Sequence, residues 1–162
     1  MSRTRVTILA LALFALAPSR AFADATLFVG ANTTPANRMV KGFAVGAGLL
    51  ILGFEIEYAN TPDDVNAAAP ALTTGMGNLL LQTPFEILGA QLYVTAGAGL
   101  FREKLEAINH QETNVAMSTG GGVKIGLIGP VRLRVDYRVF KLSGGALNSP
   151  AHRIYAGLNL KF

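Results

Sequence analysis

The sequence VRLRVDYRVF, residues 131–140, alternates between apolar or aromatic and charged side chains almost to its end. Successive side chains of a β-strand point to opposite faces of a sheet, so this stretch is predicted to be a strand with two unlike faces. One face carries Val131, Leu133, Val135, Tyr137 and Val139, and the other carries Arg132, Arg134, Asp136 and Arg138. A fold built around this strand must separate a charged layer from an apolar layer.

The same alternation recurs along the chain. In residues 152–162, an apolar set that ends at Leu160 and Phe162 alternates with a set that includes Arg153 and Lys161. Between clusters of turn-forming residues, eight strands are predicted, at 25–30, 41–49, 53–60, 72–82, 88–101, 114–127, 131–140 and 152–162. In the fourth strand, Leu79, Leu80 and Leu81 fit either register.

The predicted connections alternate in length. Long polar segments are expected at 31–40, 61–71, 102–113 and 141–151, and short links at 50–52, 83–87 and 128–130. Short turns at one end and longer loops at the other are typical of barrels that cross the outer membrane of bacteria. Period-two stripes alone also fit a soluble barrel or sandwich with its apolar face inside, such as a lipocalin-like periplasmic binder.

The first 23 residues have the features of a cleavable signal peptide. Arg3 and Arg5 precede an apolar run over residues 6–17, and Ala21-Phe22-Ala23 supplies the small-x-small pattern of a cleavage site. The apolar run is too short for a spanning helix, which needs roughly 20 residues. We therefore predict cleavage after Ala23, export to the periplasm, and one domain over residues 24–162.

Composition narrows the fold of this exported domain. Half of the residues (51%) are hydrophobic, mean hydropathy is +0.39, and the sequence has no cysteine to form disulfides. Residues 24–162 contain no apolar run long enough for a membrane helix. Backbone polar groups in lipid must be paired internally, so strands can cross a membrane only as a closed barrel. The sequence thus predicts an all-β fold, a closed eight-stranded antiparallel up-and-down transmembrane barrel.

Charge gives no support for a nucleic-acid partner. Three of the 14 basic residues lie in the predicted signal peptide, whereas all ten acidic residues follow it. The mature chain would carry eleven basic and ten acidic residues, a net charge of +1. The high pI of the full chain, about 9.7, is therefore not evidence of a basic binding surface.

The C-terminal sequence YAGLNLKF, residues 155–162, resembles the C-terminal targeting signal of outer-membrane barrels. Tyr155, Gly157, Leu160 and Phe162 stand where that signal has an aromatic residue, a glycine, a hydrophobic residue and a terminal aromatic residue. The resemblance implies that the barrel-assembly machinery captures this strand. Residues 24–162 as a whole resemble the small eight-stranded outer-membrane barrels of the OmpA/OmpX type. That resemblance implies a monomer in the outer membrane, in contact with lipid and lipopolysaccharide.

If the apolar stripes face lipid, the charged stripes fill the lumen. An eight-stranded interior is just wide enough for side chains to fill it. Arginine side chains of the seventh strand could then pair with glutamates of the third strand across the lumen. The predicted lumenal charge network comprises Glu55, Glu57, Lys124, Arg132, Arg134, Asp136, Arg138, Arg153 and Lys161, joined by Gln91 and Tyr93.

Three functions are compatible with such a barrel. The first is a structural or surface-interaction role with a closed lumen, the second a narrow channel for ions or small solutes, and the third a lipid-modifying enzyme. For the third, the histidines are His110 and His152; Ser149 lies near His152, but no carboxylate partner is evident. His110 with Glu106 and Glu112 is better explained as a solvated loop than as a metal site. No catalytic residue, cofactor or metal ligand is assigned, and we expect no enzymatic activity.

Overall fold

A computed structural model describes residues 21–105 and 109–162, and these form eight β-strands. The strands are β1 (Ala21–Asn32), β2 (Arg38–Leu49), β3 (Leu52–Thr61), β4 (Ala71–Gln82), β5 (Ala90–Leu105), β6 (His110–Ile128), β7 (Val131–Leu142) and β8 (Ala151–Lys161). Every predicted strand is present, and most extend beyond the predicted bounds. Residues 1–20, most of the predicted signal peptide, lie outside the described residues, as does Glu106.

The strands close into a single barrel in which each pairs antiparallel with the next along the chain. Pairing of β1 with β8, from Asp24 opposite Lys161 to Asn32 opposite Arg153, completes the ring. In the described ranges no helix is long and apolar enough to cross a membrane. The predicted fold, an up-and-down barrel of eight antiparallel strands, is confirmed.

The barrel is charged inside and apolar outside. Arg134 and Arg138 are completely buried, whereas Leu27 and Leu158 expose 72% and 59% of their surface. A soluble barrel would need the reverse arrangement, with apolar side chains in the interior. The soluble alternative left open by the sequence pattern is therefore wrong for this fold. In β4 the register is now defined, because Leu80 points inward while Leu79 and Leu81 point outward.

Two predictions about the connections need correction. The polar segment 102–113 is largely not a loop, because β5 and β6 continue through it with Leu105 paired to His110. Polar side chains are compatible with strands that project beyond an apolar band into water, so polarity alone misled the assignment. The contrast in loop length is also weaker than expected, since the connection 83–89 is longer than the four residues that separate β5 from β6.

The barrel has two unlike edges. The turn edge holds the connections 50–51, 83–89 and 129–130 together with the free end of β8. The loop edge holds the connections 33–37, 62–70 and 143–150, together with the end of β5 and the start of β6. Between them, the lumen has a charged half toward the turn edge. Its apolar half, toward the loop edge, is built from Leu72, Met76, Phe101, Ala116, Phe140, Leu142 and Ala151.

Candidate functional site: the lumenal charge network

The centre of the network is a cross-lumen contact between β7 and β3. Both terminal nitrogens of Arg134 bond to the carboxylate of Glu55, with Nη2 to Oε1 at 3.2 Å. Arg138 Nη2 donates to the same Oε1 at 2.9 Å. Guanidinium and carboxylate groups match as planar forks, which makes such paired contacts stronger than single hydrogen bonds between neutral groups. These contacts correspond to the predicted pairing of arginine side chains of the seventh strand with a glutamate of the third strand.

Asp136 lies between the two arginines of its own strand. Its Oδ1 accepts from Arg138 Nε at 2.9 Å, and its Oδ2 accepts from Arg134 Nη2 at 3.1 Å. The hydroxyl of Tyr93 donates to Asp136 and accepts from Arg134 Nε at 2.7 Å. Gly122 leaves the space that Tyr93 occupies, since a Cβ at this glycine would lie 2.5 Å from the Tyr93 hydroxyl oxygen. The Tyr93 hydroxyl thus links Asp136 to Arg134 without adding a charge.

Toward the loop edge, the network ends on Arg153. Its Nη1 donates to Glu57 Oε1 at 3.1 Å, and Glu57 Oε2 lies 3.0 Å from Arg138 Nη1. The remaining nitrogens of Arg153 bond to Asn32 and Thr74, both at 3.1 Å. Its guanidinium carbon lies 4.4 Å from the centre of the Phe140 ring. Arg153 therefore joins the charged half of the lumen to the apolar half.

A second cluster lies nearer the turn edge, around Asp24. This carboxylate contacts Lys124 Nζ and, at 3.3 Å, Arg132 Nη2. Arg132 also donates to Asn159 Oδ1 at 2.9 Å and to Gln91 Oε1 at 3.1 Å. Charges buried together must be paired and hydrogen-bonded to be tolerated, and both conditions are met here. Free space beside Asp24 and Lys124 amounts to only about 10 Å³, roughly enough for a single water.

One residue of the predicted network does not join it. Lys161 is exposed at the turn edge, where its Nζ lies 4.9 Å from the centre of the ring of Phe22, a residue that the predicted cleavage after Ala23 would remove. It is the last paired residue of β8, so little of the barrel remains to enclose it. The other eight charged residues of the prediction are all buried, together with Gln91 and Tyr93.

Sequence reasoning missed three buried charges, those of Asp24, Arg38 and Glu103. Glu103 fell in the predicted loop 102–113 but lies on β5, where its Oε2 accepts the backbone N–H of Leu147 at 2.9 Å. Asp24 precedes the predicted start of the first strand, although the alternation of Asp24 and Thr26 with Ala25 and Leu27 could have extended that strand upstream. Arg38 fell in a predicted loop. It instead starts β2 and donates to backbone carbonyls of Thr34 and Pro62, each at 3.2 Å, and of Pro70. Because these carbonyls belong to two different loop-edge segments, nothing in the local sequence pattern marks Arg38 as their common donor.

The four residues of the C-terminal motif divide into two pairs. Tyr155 points into the lumen and stacks on Phe28, with ring centres 4.1 Å apart. Gly157 faces Phe28 as well, because a Cβ there would lie 2.8 Å from the Cβ of Phe28. Leu160 and Phe162 are exposed on the outside. Tyr155 and Gly157 are thus required by packing, whatever their part in assembly.

The residues considered for catalysis are not assembled into a reactive pair. Ser149 Oγ accepts the backbone N–H of Leu142 at 3.0 Å, and His152 Nδ1 lies 2.7 Å from the Tyr137 hydroxyl. His110 Nε2 lies 3.9 Å from Glu103. Within the described residues, no group of three or more metal-binding side chains is found.

Comparisons with known proteins find relatives of the fold but not of the sequence. No protein-family model matches the chain, and a comparison with curated proteins finds no match. The N-terminal β-barrel domain of Pseudomonas aeruginosa OprF superposes with a TM-score of 0.69 at 13% identity, covering 89% of this chain and 99% of that domain. Neisserial surface protein A gives 0.64 at 18% identity, covering 88% and 96%.

A third solved structure, the outer membrane enzyme PagL, gives a TM-score of 0.51 at 14% identity, with 86% of this chain and 98% of PagL covered. Sequence identities this low carry the fold and not the activity. The neighbours nevertheless agree with one another in strand number and in closure. The chain therefore has the fold of the small eight-stranded outer-membrane β-barrels.

Proposed function

We propose that the chain is an outer-membrane barrel with a closed lumen, and that its role is structural or depends on contacts of the loop edge with lipopolysaccharide or partner molecules. The inverted polarity of the barrel carries this proposal. Its outward face presents large apolar side chains on all eight strands, among them Leu27, Phe54, Leu79 and Leu158. Contiguous apolar patches of more than a few hundred Å² are rare on soluble monomers. Such an outward face is compatible with the hydrocarbon core of a lipid bilayer.

Fractionation of cells that produce the full chain tests the membrane assignment. We expect the protein in the outer-membrane fraction, with faster migration on gels when it is not boiled, and with Asp24 as its first residue. Ile56→Arg, on the outward face of β3, should lower the folded fraction, because a cation on the lipid face costs roughly 2 to 4 kcal/mol near the midplane. Val65→Arg, in the exposed segment 62–70, is the matched control. Recovery of the wild type from the soluble periplasmic fraction would contradict the proposal.

The closed lumen is supported by side chains that fill both halves. The central arginines and glutamates block the charged half, and a cluster that includes Phe101 and Phe140 blocks the apolar half. The alternative, a narrow channel, requires at least one of these layers to open. Planar-bilayer recording should show no discrete conductance steps for the wild type. Reproducible unitary steps would favour the channel.

We assign no catalysis to this barrel. PagL indicates that an eight-stranded barrel can be an enzyme, but Ser149 and His152 here bond to other groups. Mass spectrometry of lipid A from cells with and without the protein is the direct test. Identical lipid A profiles are expected, and a mass difference would move the chain to the enzyme class.

Assembly is proposed to depend on capture of β8 by the barrel-assembly machinery. An unpaired amphipathic strand offers the backbone groups and alternating side chains that strand addition needs. Phe162→Ala is the informative variant, since this side chain is 71% exposed and contributes little to packing. It should lower the amount in the outer membrane but leave the urea midpoint of the folded protein unchanged. Gly157→Leu should lower both, because Phe28 occupies the space beside Gly157. Wild-type amounts of Phe162→Ala would refute the targeting role.

A further inference from the structure

Charged side chains on the outward face of the barrel all have the same sign. Across the strands in residues 21–105 and 109–162, outward positions carry four cations and no carboxylate. The strand carboxylates point inward, and the remaining described ones lie in connections. The four outward cations are Lys41, Arg102, Lys104 and Lys141.

All four cations lie close to the loop edge. Lys41 is three residues from the loop-edge end of β2, and Lys141 is one residue from that of β7. At about 3.3 Å of rise per residue, each is within roughly 10 Å of the point where its strand leaves the barrel wall. Outward cations near an interface cost about 0 to 1 kcal/mol, far less than at the midplane. This edge is therefore suited to a layer of anionic headgroups.

An apolar trough begins beside Lys41. The trough, of about 610 Å³, crosses the outward face of β8, β1 and β2 as far as β3. Its walls include Leu27, Phe43 and Leu158, and Ala156 contributes only a methyl group to the lining. At the loop-edge end of the trough, Asn60 lies opposite Lys41. A second trough of about 420 Å³ shares Leu27, Phe43 and Leu158 with the first and continues along the same face toward the turn edge.

We propose that this combined trough binds the acyl chain of one lipid whose phosphate contacts Lys41. The inference rests on the proposed membrane location of the barrel. Charge complementarity selects the occupant: a lysine with no outward carboxylate beside it attracts an anion, and the apolar walls below it fit a hydrocarbon chain. Asn60 retains one amide N–H for the headgroup, since its Nδ2 donates to Thr73 Oγ1 at 2.9 Å and carries a second hydrogen. Lys41 and the trough thus form a site for a phosphate-bearing lipid.

Native mass spectrometry of the full protein, purified in detergent, tests this site. The probes are phosphatidic acid and phosphatidylcholine with identical acyl chains, with inorganic phosphate as competitor. The wild type should bind phosphatidic acid more tightly than phosphatidylcholine, and Lys41→Gln should weaken that binding about fivefold, as expected for the loss of one cation at a lipid surface. Inorganic phosphate should not displace the lipid, because it has no chain to occupy the trough.

Two variants separate this site from a diffuse attraction. Arg102→Gln removes an outward cation that does not line the trough and should change affinity less than twofold. Ala156→Leu fills the trough, keeps Lys41, and should weaken binding as Lys41→Gln does. Wild-type affinity in Lys41→Gln, an equal loss in Arg102→Gln, or displacement by inorganic phosphate would overturn the inference. Failure of the membrane assignment itself would be distinguishable, because the protein would then purify without detergent.

Discussion

The two halves of the lumen are closed by different physical means. In the charged half, arginines and carboxylates such as Arg134 and Glu55 form a continuous set of ion pairs and hydrogen bonds. In the apolar half, Phe101, Phe140 and their apolar neighbours pack against one another, and the Arg153 guanidinium lies against the Phe140 ring. The first half depends on matched partners and the second on matched volume. A substitution that is harmless in one half should therefore be damaging in the other.

The largest effect is expected when partners are removed from the charged half. Replacing Glu55 and Glu57 together by Gln keeps their size but leaves three buried arginines short of counter-charge. Breaking a buried ion pair from one side typically costs about 3 to 5 kcal/mol. The free energy of unfolding, from urea titration in lipid vesicles, should fall by at least that amount. Asp63→Asn with Asp64→Asn, in the exposed segment 62–70, should cost less than about 1 kcal/mol. Equal losses in the two double variants would mean that the network does not stabilise the barrel.

A smaller loss is expected from a cavity in the apolar half. Phe101→Ala removes a fully buried ring and should destabilise the barrel by about 3 kcal/mol. The same substitution at Phe85, which is exposed in the connection 83–89, should cost under about 1 kcal/mol. Urea midpoints in vesicles again decide the matter. Were Phe101→Ala as mild as Phe85→Ala, the apolar half would be loosely packed, and the case for two separate closures would fail.

The same contrast explains what the sequence could reveal. In β7, arginines alternate with valine and leucine, so period-two analysis finds the strand, its faces and its lumenal residues together. In β4, Leu72, Met76 and Leu80 point inward while Leu79 and Leu81 point outward. The inward face also carries Thr74, Asn78 and Gln82, so apolar residues occur on both faces, and the run Leu79–Leu81 gives no signal of direction. The charged half could be predicted residue by residue, whereas the apolar half required the strand register.

Two of the three buried charges that were missed, Asp24 and Arg38, show a second limit. Asp24 and Arg38 are paired by residues far along the chain, with Lys124 and Pro70 respectively. Both stand near strand ends, where only a short alternation marks Asp24 and no local pattern marks Arg38. A strand ends where its backbone groups no longer find partners on the neighbouring strands. The sequence of one segment alone therefore does not define where that strand ends.

Within the charged half, the network should weaken toward the turn edge. Arg132→Gln leaves Asp24 still paired with Lys124, so its loss should be about 1 to 2 kcal/mol. Arg134→Gln leaves Arg138 as the one described cation that contacts Glu55 and Asp136, and it should cost more than Arg132→Gln. Comparing the two single variants by urea titration in one lipid measures the gradient. A larger loss for Arg132→Gln would place the critical contacts at the turn edge instead.

The smallest effect is expected from salt. Surface ion pairs weaken as ionic strength rises, because the screening length falls from about 10 Å at 0.1 M to about 3 Å at 1 M. The ion pairs around Arg134, Arg138 and Arg153 are enclosed, with no exposed surface on any of the three guanidinium groups. Mobile ions do not reach them, so raising NaCl from 0.1 to 1 M should change the free energy of unfolding by less than about 1 kcal/mol. The Glu55→Gln, Glu57→Gln variant provides the comparison. If its stability recovers with added salt while that of the wild type stays constant, anions reach the unpaired arginines, and the charged half opens to solvent when its carboxylates are lost. A strong salt dependence in the wild type would show that water already occupies this half, and the closed lumen would have to be abandoned.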